Sequence, residues 1–338
     1  MVDPCAEAVV LEDPPGGLRR ALVPLAQAIQ KGDARRLGLH RTGALARAFN
    51  RRQERFVRFR RPLYETRFDE LLEQNGGQPA EPLVMRDGFV IDTSRSLPHL
   101  AALLADGEEL IEQYAGHQYE FTKPYLQDIS PEGAMDRYPS LLDFITSSPV
   151  LATVAPCFGY IPPLPGTIPE GVRLMESSTA FDPAADGPWR ESQLYHLDYH
   201  STPTVYVIVA VRDIDPDDGP LHFLGAAASR RVAEALDYGS RGVPYRLTDE
   251  DVYSIVDESE VNRFAVPAGT VLFLESSACM HFGSRRPANN RYQFQYSFTS
   301  PVRNDFMELW RTQRIFPIGP GDSELRRLVL DRSLLALE

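Results

Sequence analysis

The sequence predicts a mainly β protein, an antiparallel barrel of the jelly-roll kind, flanked by helices at both ends of the chain. Three observations carry that expectation. The apolar period changes near residue 170 from three-to-four-residue spacing to two. Short strand-like stretches follow: "VRLMESSTAF", "TVYVIVAVRDI", "PLHFLGA", "FAVPAGTVLFLE", "CMHFGSR" and "RYQFQYSFTS". Turn clusters such as "DIDPDDGP", "VPAGT" and "RRPANN" separate them, as closure of short strands into a barrel requires.

The elements are expected in this order. Residues 17 to 58 read as helices, because "LRRALVPLAQAIQ" and "GALARAFNRRQERFVRF" repeat apolar residues every three or four positions. Residues 97 to 116 form another amphipathic helix with a break expected at Gly107. Residues 138 to 159 form a helix or helix pair, with Pro149 ending the first part. "GYIPPLPGTIPEG" then breaks the chain before the strands begin. Residues 225 to 260 interrupt the strands with helix or loop, and "SELRRLVLDRSLLALE" reads as a terminal helix. The expected division is a helical region over 1–160 packed on the core, a barrel over 170–300, and a helical segment over 301–338.

The chain has 338 residues, enough to bury a full core without cross-links. Its net charge of −12 argues against a nucleic-acid partner, whose phosphates the average surface repels. Cys5, Cys157 and Cys279 are far apart, odd in number and in no ligand spacing, which suits a reducing compartment. No apolar run approaches the ~20 residues that span a bilayer, and the first residues are acidic and proline-rich where a secretory leader needs bases. A soluble cytoplasmic protein without a membrane partner is expected. Residues 35 to 67 are dense in arginine, which reads as a solvated helical face or, more sharply, as a site for an anion.

The chemistry concentrates in "YHLDYH", residues 195 to 200. His196 and Asp198 stand two apart, so on a strand both side chains face the same side. Alone, the pair also fits a hydrogen-bonded strand end. A metal needs a third ligand, and His281 in "ACMHFGSR" is the candidate, on a later strand. Two His and one carboxylate on one face of an octahedron leave three positions open, the arrangement of non-haem iron(II) oxygenases. A 2-oxo acid would fill two of them, and its far carboxylate wants a guanidinium. Arg291 opens the next strand, ten residues after His281, and Gln293, on the same face, is the nearest further donor to that carboxylate. Tyr199 and His200 flank the cluster as substrate-lining candidates. His222 reads as a satisfied core histidine, and Cys279 as a packed small residue.

The stretch from "SQLYHLDYH" through "DIDPDDGPLHFLG" to "CMHFGSRRPANNRYQF" resembles the phytanoyl-CoA dioxygenase (PhyH-like) family over roughly residues 170 to 300. The family motif is HxD, a distal His and an Arg about ten residues on; His196, Asp198, His281 and Arg291 match it one by one. The resemblance implies a double-stranded β-helix, with iron(II) as metal and 2-oxoglutarate and dioxygen as cosubstrates. It also implies oxidation of a small organic substrate, hydroxylation or desaturation, of the kind bacterial members use to tailor secondary metabolites. Asp198 fills the position that related halogenases leave to a small residue. Where the family often has "PGSH", this chain has "FLGAAAS". The alternative is a cupin-like metal-binding jelly roll without oxygenase chemistry, for which a guanidinium at position 291 has no use. A monomer or homodimer is expected.

Overall fold

Valine, isoleucine and aromatic residues crowd the segments that pair into two antiparallel sheets, since branched and ring side chains fit a pleated, buried surface. The computed structural model describes residues 16–31, 36–77, 82–117, 123–167, 169–179, 187–285, 288–307 and 315–331, with side chains from residue 21 onward. The larger sheet holds β1 (Phe89–Asp92), β2 (Leu126–Asp128), β3 (Val172–Ser177), β4 (Thr204–Ala210), β7 (Val271–Glu275) and β9 (Arg291–Thr299), in the order β1-β7-β4-β9-β3-β2. The smaller sheet holds β5 (His222–Phe223), β6 (Asn262–Arg263) and β8 (His281–Phe282), in the order β6-β5-β8. The two sheets face each other as a jelly roll, the double-stranded β-helix expected from the sequence.

Alternation divides the larger sheet into two faces. Outward, Val205, Val207, Val209, Phe273, Phe294 and Phe298 are fully buried. They join one apolar cluster with residues of the helices α3 (Glu54–Gln74), α4 (Leu100–Tyr114), α6 (Ser140–Ile145) and α7 (Ser148–Phe158). Burying each of these side chains contributes roughly 1.5–3 kcal/mol. Inward, Ile208, Leu272 and Leu274 meet Phe223, Phe264 and Cys279 from the smaller sheet and its connections. The remaining helices are α1 (Gly16–Lys31), α2 (Leu39–Phe49), α5 (Ala134–Arg137), α8 (Ala226–Ala235), α9 (Asp249–Tyr253) and α10 (Glu324–Leu330).

Three expectations need correction, and a fourth is met over part of its length. The region before residue 160 is not helical throughout: β1 and β2 supply both edges of the larger sheet. Each is four residues or fewer, too short to establish a period. The helix at 100–114 runs unbroken through Gly107. A Cβ there would lie 2.8 Å from the Phe294 ring and 3.0 Å from Val211, so this glycine permits close approach of helix to sheet. Pro149 does not end a helix but opens α7, where its missing N–H costs nothing. The terminal helix is described only as Glu324–Leu330, and the expectation for residues 332–338 lies outside the described residues.

The arginine-rich helices resolve into two parts. Arg41, Arg51, Arg52, Arg55, Arg58 and Arg61 are exposed, a solvated face. Arg60 is fully buried, and its guanidinium donates to the carbonyl oxygens of Ile161, Leu328 and Asp331. It thereby satisfies helix-end acceptors of α10 and ties that helix to α3. Among the described residues, no helix is long and apolar enough to cross a membrane.

Candidate metal centre

The cluster is assembled by backbone pairing. His196 and His281 oppose each other as an isolated antiparallel bridge, exchanging N–H···O bonds of 3.1 and 3.0 Å. Directly opposed residues on neighbouring strands project to one face. The two imidazole rings accordingly lie 4.4 Å apart between centroids. Asp198 follows two residues later on the same face, its amide held 3.0 Å from the Ser276 carbonyl just past β7. The turn "DIDPDDGPL" braces the segment after His281: Ser284 N–H donates to the Gly219 carbonyl at 3.1 Å. Asp218 in the same turn accepts from the backbone and side chain of Asn289, just before β9.

His196, Asp198 and His281 each offer one ligand atom, all within 4.8 Å of one another. Asp198 Oδ1 lies 3.9 Å from His196 Nε2, and Oδ2 lies 3.6 Å from His281 Nε2. Both histidines are buried, at 4% and 6% exposure. His196 Nδ1 donates to the Leu194 carbonyl at 2.8 Å and His281 Nδ1 to the Cys279 carbonyl at 2.9 Å. A carbonyl only accepts, so each ring carries its proton on Nδ1 and turns the Nε2 lone pair inward. Burial, with help from Arg246 and His281, drives the His196 pKa well below its usual value and keeps the ring neutral. Burial pushes the Asp198 carboxyl up, but His281, His200 and other neighbours outweigh it and hold the group ionised. Among the described residues, Asp198 Oδ2 is buried without a hydrogen-bond partner. An orphaned carboxylate oxygen facing the inward Nε2 atoms of two histidines fits a divalent cation and leaves a buried group unsatisfied otherwise.

Arg291 opens β9 and is 4% exposed. Its guanidinium lies against Gly283, two residues past His281: a Cβ on that glycine would stand 3.7 Å from Nη2. Nη2 donates to Ser284 Oγ at 3.1 Å, Nη1 donates to Gln293 Oε1, and Nε has no hydrogen-bond partner. Burial lowers its pKa to about 10, which leaves it charged at neutral pH. Gln293 therefore acts first on Arg291, fixing the direction in which the remaining donors point.

Tyr199 and His200 sit beside the cluster, rings stacked at 4.9 Å. Tyr199 OH accepts from Gln30 Nε2 of α1 at 2.9 Å. His200 Nδ1 donates to Asp305 Oδ2 at 2.7 Å, and Asp305 is in turn paired with Arg303 through both oxygens. Burial raises the Asp305 pKa, but Arg303 and His200 bring it down to about 2. His222 faces away from the centre, stacked on Phe282 with its Nδ1 bonded to the Pro220 carbonyl. Cys279 packs, fully buried, in the apolar interior.

The sequence reading missed three groups around the centre. Tyr195 and Leu247 form an isolated bridge, which sets Arg246 opposite His196. Arg173 pairs with Gln295 on β9, on the inward face with Arg291 and Gln293. The Tyr206 hydroxyl lies within reach of both Asp198 and Arg173, and burial raises its pKa. An arginine at an inward position of the "VRLMES" strand was the one available signal.

No protein-family signature and no curated sequence matches the chain. Among solved structures, HygX from Streptomyces hygroscopicus with nickel and 2-oxoglutarate aligns at 13% identity over 63% of this chain and 82% of that one, with a TM-score of 0.35. The carbocyclase SnoK from nogalamycin biosynthesis aligns at 15% over 70% and 85%, with a TM-score of 0.37. EctD from S. alaskensis with 2-oxoglutarate and 5-hydroxyectoine aligns at 13% over 64% and 73%, with a TM-score of 0.40. At such identities and scores the functional reading stands on the geometry of the site.

Proposed function

We propose that this chain is an iron(II)- and 2-oxoglutarate-dependent dioxygenase of the PhyH-like kind, which hydroxylates or desaturates a small organic substrate. The observation that carries the reading is the buried His196–Asp198–His281 cluster with its orphaned Asp198 oxygen, accompanied by a buried guanidinium that keeps one donor free. His196, Asp198 and His281 would hold the iron. Arg291, oriented by Gln293 and Ser284, would grip the distal carboxylate of 2-oxoglutarate, a bidentate task that suits a planar fork. When bound, iron(II) and 2-oxoglutarate supply the activation of dioxygen, with decarboxylation of the cosubstrate to succinate.

The chain's own work is positioning and the exclusion of water. The peptide bridge between His196 and His281 fixes the spacing of two ligands before any ion arrives. Cys279 and Phe223 make the surroundings dry, which strengthens every electrostatic contact inside. Tyr199 and His200 would line the substrate side. On this reading the partner is a small molecule, met in the cytoplasm by a monomer or homodimer.

The test mixes anaerobic protein with iron(II) and 2-oxoglutarate. A weak visible charge-transfer band is expected in the native chain, with a 2-oxoglutarate-dependent rise in melting temperature. Asp198→Ala should abolish the band. A native chain that shows neither band nor melting shift, nor succinate on admission of air, removes the oxygenase reading.

A further inference from the structure

The barrel interior holds more positive charge than the proposed cosubstrate can use. Iron(II), ionised Asp198 and doubly charged 2-oxoglutarate leave one negative charge between them, and Arg291 cancels it. Lys123, the next cation, is already neutralised by Glu191 at 3.5 Å. Arg173 and Arg246 remain. Guanidinium groups stay charged at any physiological pH.

Their placement follows from register. Tyr195 bridges Leu247, and His196 bridges His281, so Arg246, His196 and His281 sit side by side on three neighbouring segments. Side chains opposed in this way project to one face, with Cβ atoms ~5 Å apart. Arg246 is therefore rooted beside the metal cluster. Arg173 comes from the other sheet. Val172 and Leu174 belong to the outward core, so Arg173 points inward, in the row of Gln295 and Ile208. The Tyr206 hydroxyl lies near enough to feel both Arg173 and Asp198.

Neither arginine forms an ion pair among the described residues. Both are half-buried. Arg173 Nε is buried with no hydrogen-bond partner. Arg246 reaches only the Tyr245 carbonyl, at 3.4 Å, and lies over the Tyr245 ring. The inward carboxylate on β2, Asp128, is close enough to feel the Arg173 charge, but it forms no ion pair with it among the described residues and accepts from the Ser130 amide. Two partly desolvated cations without a close ion-pair contact are costly to hold apart from a ligand.

We infer that Arg173 and Arg246 form an anion subsite beside the metal cluster, and that the substrate carries a carboxylate or phosphate group. This rests on the oxygenase reading, since it assumes that the cosubstrate takes Arg291. A substrate anion held between two walls of the barrel would be fixed in direction, so that one carbon faces the centre.

The experiment uses the full chain loaded anaerobically with iron(II) and saturating 2-oxoglutarate, titrated with inorganic phosphate, acetate and uncharged acetamide. Binding is read from melting temperature and from perturbation of the charge-transfer band. Saturable binding of phosphate or acetate is expected, with acetamide silent. Whichever anion binds tighter identifies the headgroup. Arg173→Gln and Arg246→Gln should each weaken anion binding at least tenfold, and at least tenfold more than they weaken 2-oxoglutarate. Lysine at either position keeps the charge and should hold anion affinity within about threefold of native. Three results overturn the subsite: acetamide binding as well as acetate, phosphate simply displacing 2-oxoglutarate, or lysine variants losing as much as glutamine variants. Failure of the oxygenase reading shows separately, as absence of the band in the native chain before any anion is added.

Discussion

The two faces of the larger sheet are built by the same strands and do opposite work. On β9, Phe294, Tyr296 and Phe298 face the helices in a layer that is apolar but for the Tyr296 hydroxyl, whereas Arg291, Gln293 and Gln295 face the barrel interior. On β3 the same alternation sets Val172 and Leu174 against Arg173. A strand that must both anchor a core and present chemistry does so by parity: one residue for stability, the next for the site. The outer face can be dense because no ligand has to enter it. Among the described residues the inner face carries four buried polar atoms without partners, Asp198 Oδ2, Arg173 Nε, Arg291 Nε and Ser297 Oγ, against Tyr296 OH and Gln127 Oε1 on the outer face. Buried groups of that kind are tolerated where something else is meant to satisfy them.

The division can be broken experimentally. Phe294→Ala should cost about 3–5 kcal/mol in urea unfolding through the cavity it leaves, while metal affinity per folded molecule stays near native. Asp198→Ala is the mirror case. Manganese or iron affinity should fall at least a hundredfold, which is about 2.7 kcal/mol, while the metal-free protein changes stability by no more than about 1 kcal/mol. Comparable losses of stability from both changes would mean that the faces are not energetically separate. Gly107→Ala sharpens the outer face. Helix propensity favours alanine by up to ~1 kcal/mol, yet its methyl would press on Phe294 and Val211. A net loss of about 1 kcal/mol is expected, and a gain in melting temperature would show that the layer has room.

A further effect concerns pH. Asp305 is depressed from 3.8 to about 2 in the folded chain, so the unfolded chain binds its proton first as pH falls. Its contribution to stability, of order 2 kcal/mol, is complete above pH ~4 and disappears as pH falls toward 2. Asp305→Asn should flatten the stability curve in that window; an unchanged acid limb would contradict the pairing with Arg303 and His200.

What could be read from residues alone follows the same physics. His196, Asp198, His281 and Arg291 were legible because two of them stand two apart and Arg291 opens a strand whose alternation is strong, although His196 makes only an isolated bridge and β8 is two residues long. The jelly roll was legible from the period-two segments. β1 and β2 were not, because three or four residues cannot establish a period and both lie among helices. Arg246 was hidden for another reason. Its place beside His196 depends on a single isolated bridge between Tyr195 and Leu247, 52 residues apart in sequence with no repeating pattern to announce it. The unbroken helix at Gly107 was misread because a glycine that breaks a helix and one that admits a neighbouring ring look alike until the neighbour is known.

The peptide bridge joining His196 to His281 has a consequence for how an ion is acquired. Because main-chain bonds, and not the ion, set the distance between the imidazoles, little structural reordering remains when the ion enters. Uptake should then be quick and reversible, with a far-ultraviolet spectrum that is the same before and after loading.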